Sequence, residues 1–433
     1  MEPHPVRLVV EDDLRRNRAT VFFRILLAIP HFIWITLWTI GAFFAAIANW
    51  VATLIVGRPP AGLHRFLSSY VRYTVHLNAY LHLVANPYPG FLGEEGEYEV
   101  DVRLPGEPVE QARWTTFLRL ILALPALLIS LFLGGASGPS LNVFVFTGSG
   151  RSSRRTGGGG GFGGALTAVC AVLGWFASLA LGRMPRGLRD AGAYGVGYGA
   201  QVLAYLLLLT DRYPSSDPTA MLDSVERPPA HPVHLVGEAH DLRRSRLTVF
   251  FRIPLLIPHV VWLYLWTIAA VLLGIVNWFA TLFTGAPPRF FHRFFSAYVR
   301  YQLHVYAFGS LAANPFPGFT GTAGTYPLDL TLPQEPQRQN RWKTAFRIFL
   351  VIPAWLVGAV LTYTLYAAAF LTWFVAMIRG SAPWGLRNLS AYALRYLAQV
   401  NAYLYLLTDA YPHASPLEGE DQPRQQELEF SPA

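Results

Sequence analysis

FFRILLAIPH, at residues 22–31, sets a charge inside an apolar run and follows it with a proline six positions later. The pattern returns as FLRLILALPA at 117–126, FFRIPLLIPH at 250–259 and AFRIFLVIPA at 345–354. Arg24/Pro30, Arg119/Pro125, Arg252/Pro258 and Arg347/Pro353 share one spacing, and a shift of 228 residues carries Arg24 to Arg252 and Arg119 to Arg347. Self-similarity at a fixed period marks a repeat architecture. The chain reads as two long halves, each holding two related units.

Downstream landmarks keep the register. A tryptophan stands 20 residues after the proline in units one, three and four (Trp50, Trp278, Trp373) and 50 after it in unit two (Trp175). The surplus in unit two falls on a Gly/Ser-rich stretch, 134–163, which reads as a flexible insertion. Its glycine run lacks the strand–loop–helix setting and the Lys-Ser/Thr ending of a phosphate-binding loop. Seven residues after each tryptophan comes a glycine (Gly57, Gly182, Gly285, Gly380), and three later a proline. Each unit opens on an alternating segment, VRLVV at 6–10, YEVDVRL at 98–104, HPVHLV at 231–236 and TYPLDLTL at 325–332, the period-two pattern of a short strand. The units are placed at 1–92, 93–218, 229–320 and 321–415, with a disordered tail at 416–433.

Composition supplies the environment. Of 433 residues, 53% are hydrophobic and only 14% charged, against about 25% charged in an average soluble chain. The deficit points to lipid. The net charge of +8 is almost wholly arginine, with Lys343 the single lysine. These arginines flank apolar segments and form no single basic patch, so nucleic acid is not the expected partner; membrane lipids are. Cys170 is the only cysteine, which excludes an internal disulfide and a cysteine-based metal site. No cleavable signal peptide is read in the polar first 18 residues.

Residues 31–56 contain no Asp, Glu, Lys or Arg, and at about 1.5 Å per residue they can cross a hydrocarbon core of about 30 Å. Unit three repeats this at 259–284 and unit four at 354–378. A second, less apolar helix follows each Gly/Pro turn, near 62–85, 187–209, 290–313 and 385–407. The expected fold is a mostly α polytopic membrane protein of about eight crossings, four strand–interfacial helix–helical hairpin units with short strands outside the membrane. In this reading Arg24, Arg119, Arg252 and Arg347 snorkel to headgroups, and Pro30, Pro125, Pro258 and Pro353 mark the bend into the bilayer. Arginines paired inside a pore are the alternative. The strands and both termini then share one side and the Gly/Pro turns the other. Basic residues number 14 at the lead-ins and nine at the turns, which favours cytoplasmic termini in a multi-pass inner-membrane protein.

The arginine-rich VFFRILLAIPH, the NW…G.PP and GW…GRMPRGL turns and above all AYLLLLTDRYPSSDP (204–218) closely resemble the DUF4389 family of bacterial membrane proteins. The resemblance covers nearly the whole chain as four tandem copies. Units one and three depart from it, with NPYP and NPFP where the others read TDRYP and TDAYP. It implies an architecture and no activity.

Candidate site residues lie on the second helices. Four residues before an aromatic landmark (Tyr80, Tyr205, Phe308, Tyr403) stands His76, Gln201, His304 or Gln399; seven before it stands Tyr73, Tyr198, Tyr301 or Tyr396; eight before it stands Arg72, Arg300 or Arg395, with Gly197 in unit two. These spacings share one helical face. The stripes read either as polar groups that bond neighbouring helices or as the lining of a shared path or pocket whose histidines titrate near neutrality. No acidic ligand accompanies His76 or His304 at metal-site spacing, His31 and His259 are expected to cap the interface, and Asn49 and Asn277 to bond neighbouring helices. No nucleophile elbow, HExxH or kinase-like set occurs, so neither catalysis nor a cofactor is expected, and the acidic GEEGEYEVD (93–101) reads as solvated surface. The favoured function is a structural or interaction platform in the bacterial inner membrane, with the strands open to a protein partner; the alternative is a channel or transporter lined by the stripes.

Overall fold

The computed structural model describes residues 4–134, 166–223, 225–237 and 242–419. All of the Gly-rich stretch but Gly134, and the tail beyond Gly419, lie outside these residues. Each unit supplies a long first helix and a shorter second helix. In chain order the first helices are Ile29–Val56, the discontinuous Arg119–Leu133 and Leu166–Leu181, Arg252–Thr284, and Ile352–Arg379; the second helices are Ala61–Leu81, Arg186–Leu206, Arg289–Gly309 and Trp384–Leu404. Each complete first helix ends on a glycine in the left-handed region, with φ of 88° at Gly57, 72° at Gly182, 82° at Gly285 and 72° at Gly380, the conformation only glycine enters without a Cβ clash. Proline at the next N-cap (Pro60, Pro185, Pro288, Pro383) starts the second helix.

All four alternating segments form strands: β1 (Arg7–Val10), β2 (Val100–Arg103), β4 (His234–Val236) and β5 (Asp329–Thr331). β1 pairs antiparallel with β2, Leu8 opposite Val102, and β4 with β5, Leu235 opposite Leu330. A two-residue β3 (Leu222–Asp223) adds parallel to β1; no alternating pattern announced it.

The two units of a half are antiparallel to one another. Arg16 N–H donates to Gly182 O at 3.0 Å while its guanidinium reaches Leu83 O at 2.9 Å, so the lead-in of unit one, the end of its second helix and the corner of unit two lie together. At the opposite end Gln111 N–H donates to Gly57 O at 2.8 Å and its side chain to Leu208 O at 2.9 Å. Units three and four repeat this through Arg244 N–H to Gly380 O and Gln339 N–H to Gly285 O, at 2.8 and 2.9 Å. The expectation that lead-ins and Gly/Pro corners face opposite sides is therefore overturned, because each corner is hydrogen-bonded to its partner unit's lead-in.

The second helices are the centre of the molecule. In unit one, Phe66, Tyr70 and Tyr73 face the first helix through Trp38, while Arg72 and His76 face the strand layer through Asp101. Both strand layers lie on one side. Asp217, from the loop under β3, accepts from Trp384 Nε1 at 3.0 Å and Asn388 Nδ2 at 2.9 Å, on the same face of the unit-four second helix from which Tyr392 reaches Ala414 O. The unit-two and unit-four first helices pack together in the other layer. The order is strands, second helices, first helices.

Among the described residues three helices are long and apolar enough to cross a membrane: Ile29–Val56, Arg252–Thr284 and Ile352–Arg379. The second helices are not among them, and the eight expected crossings are not borne out. The physical reason is amphipathicity. The second helices alternate polar residues that bond strands and loops with aromatics that pack on the first helices, and most of their length is buried in protein. The prolines differ too: Pro30 and Pro353 sit in the first turn of their helices, but Pro125 and Pro258 lie inside continuous ones and do not start a new helix.

Candidate functional site

The repeated arginine is buried in every unit, 3% exposed at Arg24, 2% at Arg119 and Arg252, and 1% at Arg347. None reaches outward to headgroups. In units one, three and four the arginine caps the last turn of the second helix, and in unit two it bonds the turn that follows it. Arg252 donates to Phe308 O at 2.7 Å and Ala313 O at 2.5 Å; Arg347 donates to Tyr403 O at 2.6 Å and Thr408 O at 3.0 Å; Arg24 reaches Tyr80 O and Ala85 O, and Arg119 reaches Thr210 O. The last carbonyls of a helix have no intrahelical acceptor role left and carry the negative end of its dipole. In units one and three they stand in for an acidic partner. Each guanidinium also lies over the aromatic landmark of its own unit, Tyr80, Tyr205, Phe308 or Tyr403, at 4.4, 4.0, 3.8 and 4.2 Å from the ring centre.

This contact explains the two unit endings. Asn86, Asp211, Asn314 and Asp409 occupy one structural position beside the buried arginine. Units two and four answer it with a carboxylate, Arg347 to Asp409 at 2.6 Å and Arg119 to Asp211 at 3.6 Å, with Gln339 or Gln111 as a further acceptor. Units one and three use asparagine.

The polar stripes bind the strand layer. His76 Nε2 and Arg72 Nε lie 3.0 and 3.2 Å from Asp101 Oδ1, while Gly96 N–H donates to Oδ2 at 2.7 Å. Unit three copies this, with His304 and Arg300 at 3.1 and 3.0 Å from Asp329 and Gly324 N–H at 2.6 Å. Burial alone would raise both carboxyls, but the hydrogen bond to the histidine and those from backbone N–H groups outweigh it and hold them below the ordinary 3.8. In units two and four glutamine replaces histidine and clamps backbone: Gln201 donates to Val6 O at 2.7 Å and accepts from Ser215 N–H at 2.8 Å, and Gln399 donates to Val233 O and accepts from His413 N–H, both at 3.0 Å. Arg395 donates to Ser415 O at 2.6 Å. The stripe tyrosines face the first helices, Tyr73 with His31 at 2.7 Å, Tyr301 with His259 at 2.8 Å, Tyr198 to Ala126 O at 3.3 Å and Tyr396 to Ala354 O at 3.2 Å. His31 and His259 are thus buried between helices and cap no interface. Asn49 and Asn277 donate to Leu207 O and Tyr405 O in the neighbouring unit.

The four stripes do not open onto one space. Arg300 borders a cleft of 380 Å³ and Arg395 with Gln399 a separate one of 350 Å³. Among the described residues no group of three or more His, Cys, Asp or Glu side chains is placed to hold a metal. Sequence reasoning missed Asp101, read as part of a solvated segment, and Asp329; strand alternation sets them on the side of exposed Arg103 and Thr331, away from Val102 and Leu330, so no local pattern announced them.

The model of the Domain of unknown function (DUF4389) matches at residues 18–93, 160–216, 246–320 and 341–415. The chain belongs to this family and carries four tandem copies of its domain. No curated protein and no solved structure matches the chain.

Proposed function

We propose that this protein is a membrane-embedded platform that lies in one leaflet, with its first helices parallel to the bilayer plane and its two strand layers presented to water on one side. One observation carries the reading: the exposed apolar surface runs the whole length of the first helices and their lead-ins, from Phe22 to Val56 in unit one and from Leu247 to Phe283 in unit three. Arg252–Thr284 has 33 residues, about 50 Å of helix at 1.5 Å per residue. Standing that length inside a core of about 30 Å requires a tilt beyond about 50°, outside the usual range of about 0–40°. A helix lying flat has no such limit.

Polar backbone supports the same orientation. The segment LPGEPVE (104–110) runs from β2, beside His76, to Gln111 at the far end of the second helix. If the second helices crossed the bilayer, this irregular segment and the strands bearing Arg7 and Arg103 would lie in hydrocarbon, where unpaired backbone is not tolerated. The multi-pass reading is replaced by a one-sided one, and the channel alternative loses its shared lining because the stripes are spent on Asp101, Asp329 and strand carbonyls.

Single cysteines at Arg7, Arg103, Arg58 and Arg183 in a Cys170→Ala background test this in sealed vesicles. All four are expected to react with an impermeant maleimide from one and the same side. Protection of either Arg58 or Arg183 from the side that labels Arg7 and Arg103 would sink the proposal, because the two corners lie at opposite ends of the paired units.

A further inference from the structure

We propose that each of the four glycine corners binds the headgroup of an anionic phospholipid, a reading that rests on the one-leaflet placement above. The corners are alike in detail. Two residues after the backbone N–H that caps the corner glycine stands an arginine: Arg18, Arg113, Arg246 or Arg341. Its Nη2 donates to a carbonyl in the last turn of the partner unit's first helix, Ala180, Ile55, Ile378 or Phe283, at 3.0, 3.1, 3.0 and 3.2 Å. That bond fixes the guanidinium at the end of the apolar helix and uses one of its five N–H groups. All four arginines are exposed, and among the described residues no carboxylate lies within ion-pair distance of them.

The surroundings match a lipid. Exposed Val56, Leu181, Phe283 and Ile378 end the apolar face beside the four guanidinium groups. Trp114 and Trp342, 78% and 76% exposed, follow Arg113 and Arg341 directly, at the depth where tryptophan prefers to sit. A further arginine adjoins each corner: Arg58, Arg183, Arg338 or Arg379. The first corner is a cleft of 490 Å³ whose lining includes Arg58, Gln111 and Arg113 and one carboxylate, Glu110. A guanidinium held at one edge offers a fork to phosphate, and the neighbouring apolar helix end receives the acyl chains. A free phosphate would gain nothing from that apolar end.

The test uses the full chain reconstituted in vesicles of phosphatidylcholine and phosphatidylglycerol, then extracted gently for mass spectrometry of the intact protein with its retained lipids. The wild type is expected to retain up to four phosphatidylglycerol molecules in preference to phosphatidylcholine. The variant Arg18→Gln/Arg113→Gln/Arg246→Gln/Arg341→Gln is expected to lose that preference while staying in the membrane through an alkaline wash. If the fourfold variant does not fold, Arg113→Gln alone is expected to retain one phosphatidylglycerol fewer. A wild type without headgroup preference, or variants that keep it, would overturn the proposal. Release of the wild type by the alkaline wash would instead strike at the membrane placement itself.

Discussion

The arginine of FFRILLAIPH is a structural cation, and its burial defines what its removal does. Arg252→Met keeps much of the volume, leaves Ala313 O without the guanidinium, and leaves Phe308 O with only backbone N–H donors such as Leu311. Leaving a buried acceptor without its partner costs about 1–3 kcal/mol, so the variant should unfold at a lower temperature in detergent than the wild type. Arg252→Lys should not restore it, because an ammonium cannot fork between two carbonyls and stack on Phe308 at once. An unchanged midpoint in either variant would mean that the contact contributes little. A second residue-scale expectation concerns acid. Burial pushes His413 down to about 4, helped by the charges of Arg395, His231 and Arg186, and burial lowers His4 and His231 as well. The unfolded chain takes up these protons near 6.5 and the folded one refuses them, so the stability they confer is complete above 6.5 and is lost as pH falls toward about 4. Denaturant titrations from pH 7 to pH 4 should show that decline, with a shallower slope in His413→Gln.

At the scale of elements, the tryptophan landmarks join units. Trp50 Nε1 donates to Thr116 O, Trp175 to Val21 O, Trp278 to Thr344 O and Trp373 to Val249 O, at 3.0, 3.1, 2.6 and 3.0 Å. Each bond runs from one unit's first helix to its partner's lead-in, so the two units of a half clasp each other reciprocally. Trp278→Phe removes the donor and keeps much of the ring; a neutral hydrogen bond is worth about 1 kcal/mol, and a small fall in thermal midpoint is expected, larger when Trp373→Phe is added on the other side of the same pair. No additional fall in the double variant would argue against reciprocal clasping. This clasp marks where sequence reading reached and where it stopped. The period exposed the units, strands, hairpins and glycine caps, because each is a local signal. Which unit a tryptophan would touch is a long-range fact with no local signature. The turn after each second helix was equally hidden: Leu83, Leu208, Leu311 and Leu406 have φ of 60°, 63°, 62° and 65°, a conformation that costs leucine about 1–2 kcal/mol and that glycine or asparagine would have announced. Helical spacing grouped each stripe on one face, whereas Arg72 and His76 face the strand layer and Tyr73 faces the first helix; the partners Asp101 and Asp329 were hidden by a reading that had put strands and second helices in different environments.

For the whole molecule, the layering of strands, second helices and first helices decides the relation to lipid. Among the described residues, hydropathy alone finds three helices able to cross a bilayer; the arrangement of their exposed faces argues that they lie in it instead. Spin labels at Ile25 in the lead-in and at Ile40 and Val56 on the first helix, all exposed, report this directly through their collision rates with oxygen and with a water-soluble nickel chelate in reconstituted vesicles. The account predicts three similar, shallow depths on one side. A label at Ile40 near the bilayer centre, with Ile25 and Val56 at opposite headgroup regions, would contradict it.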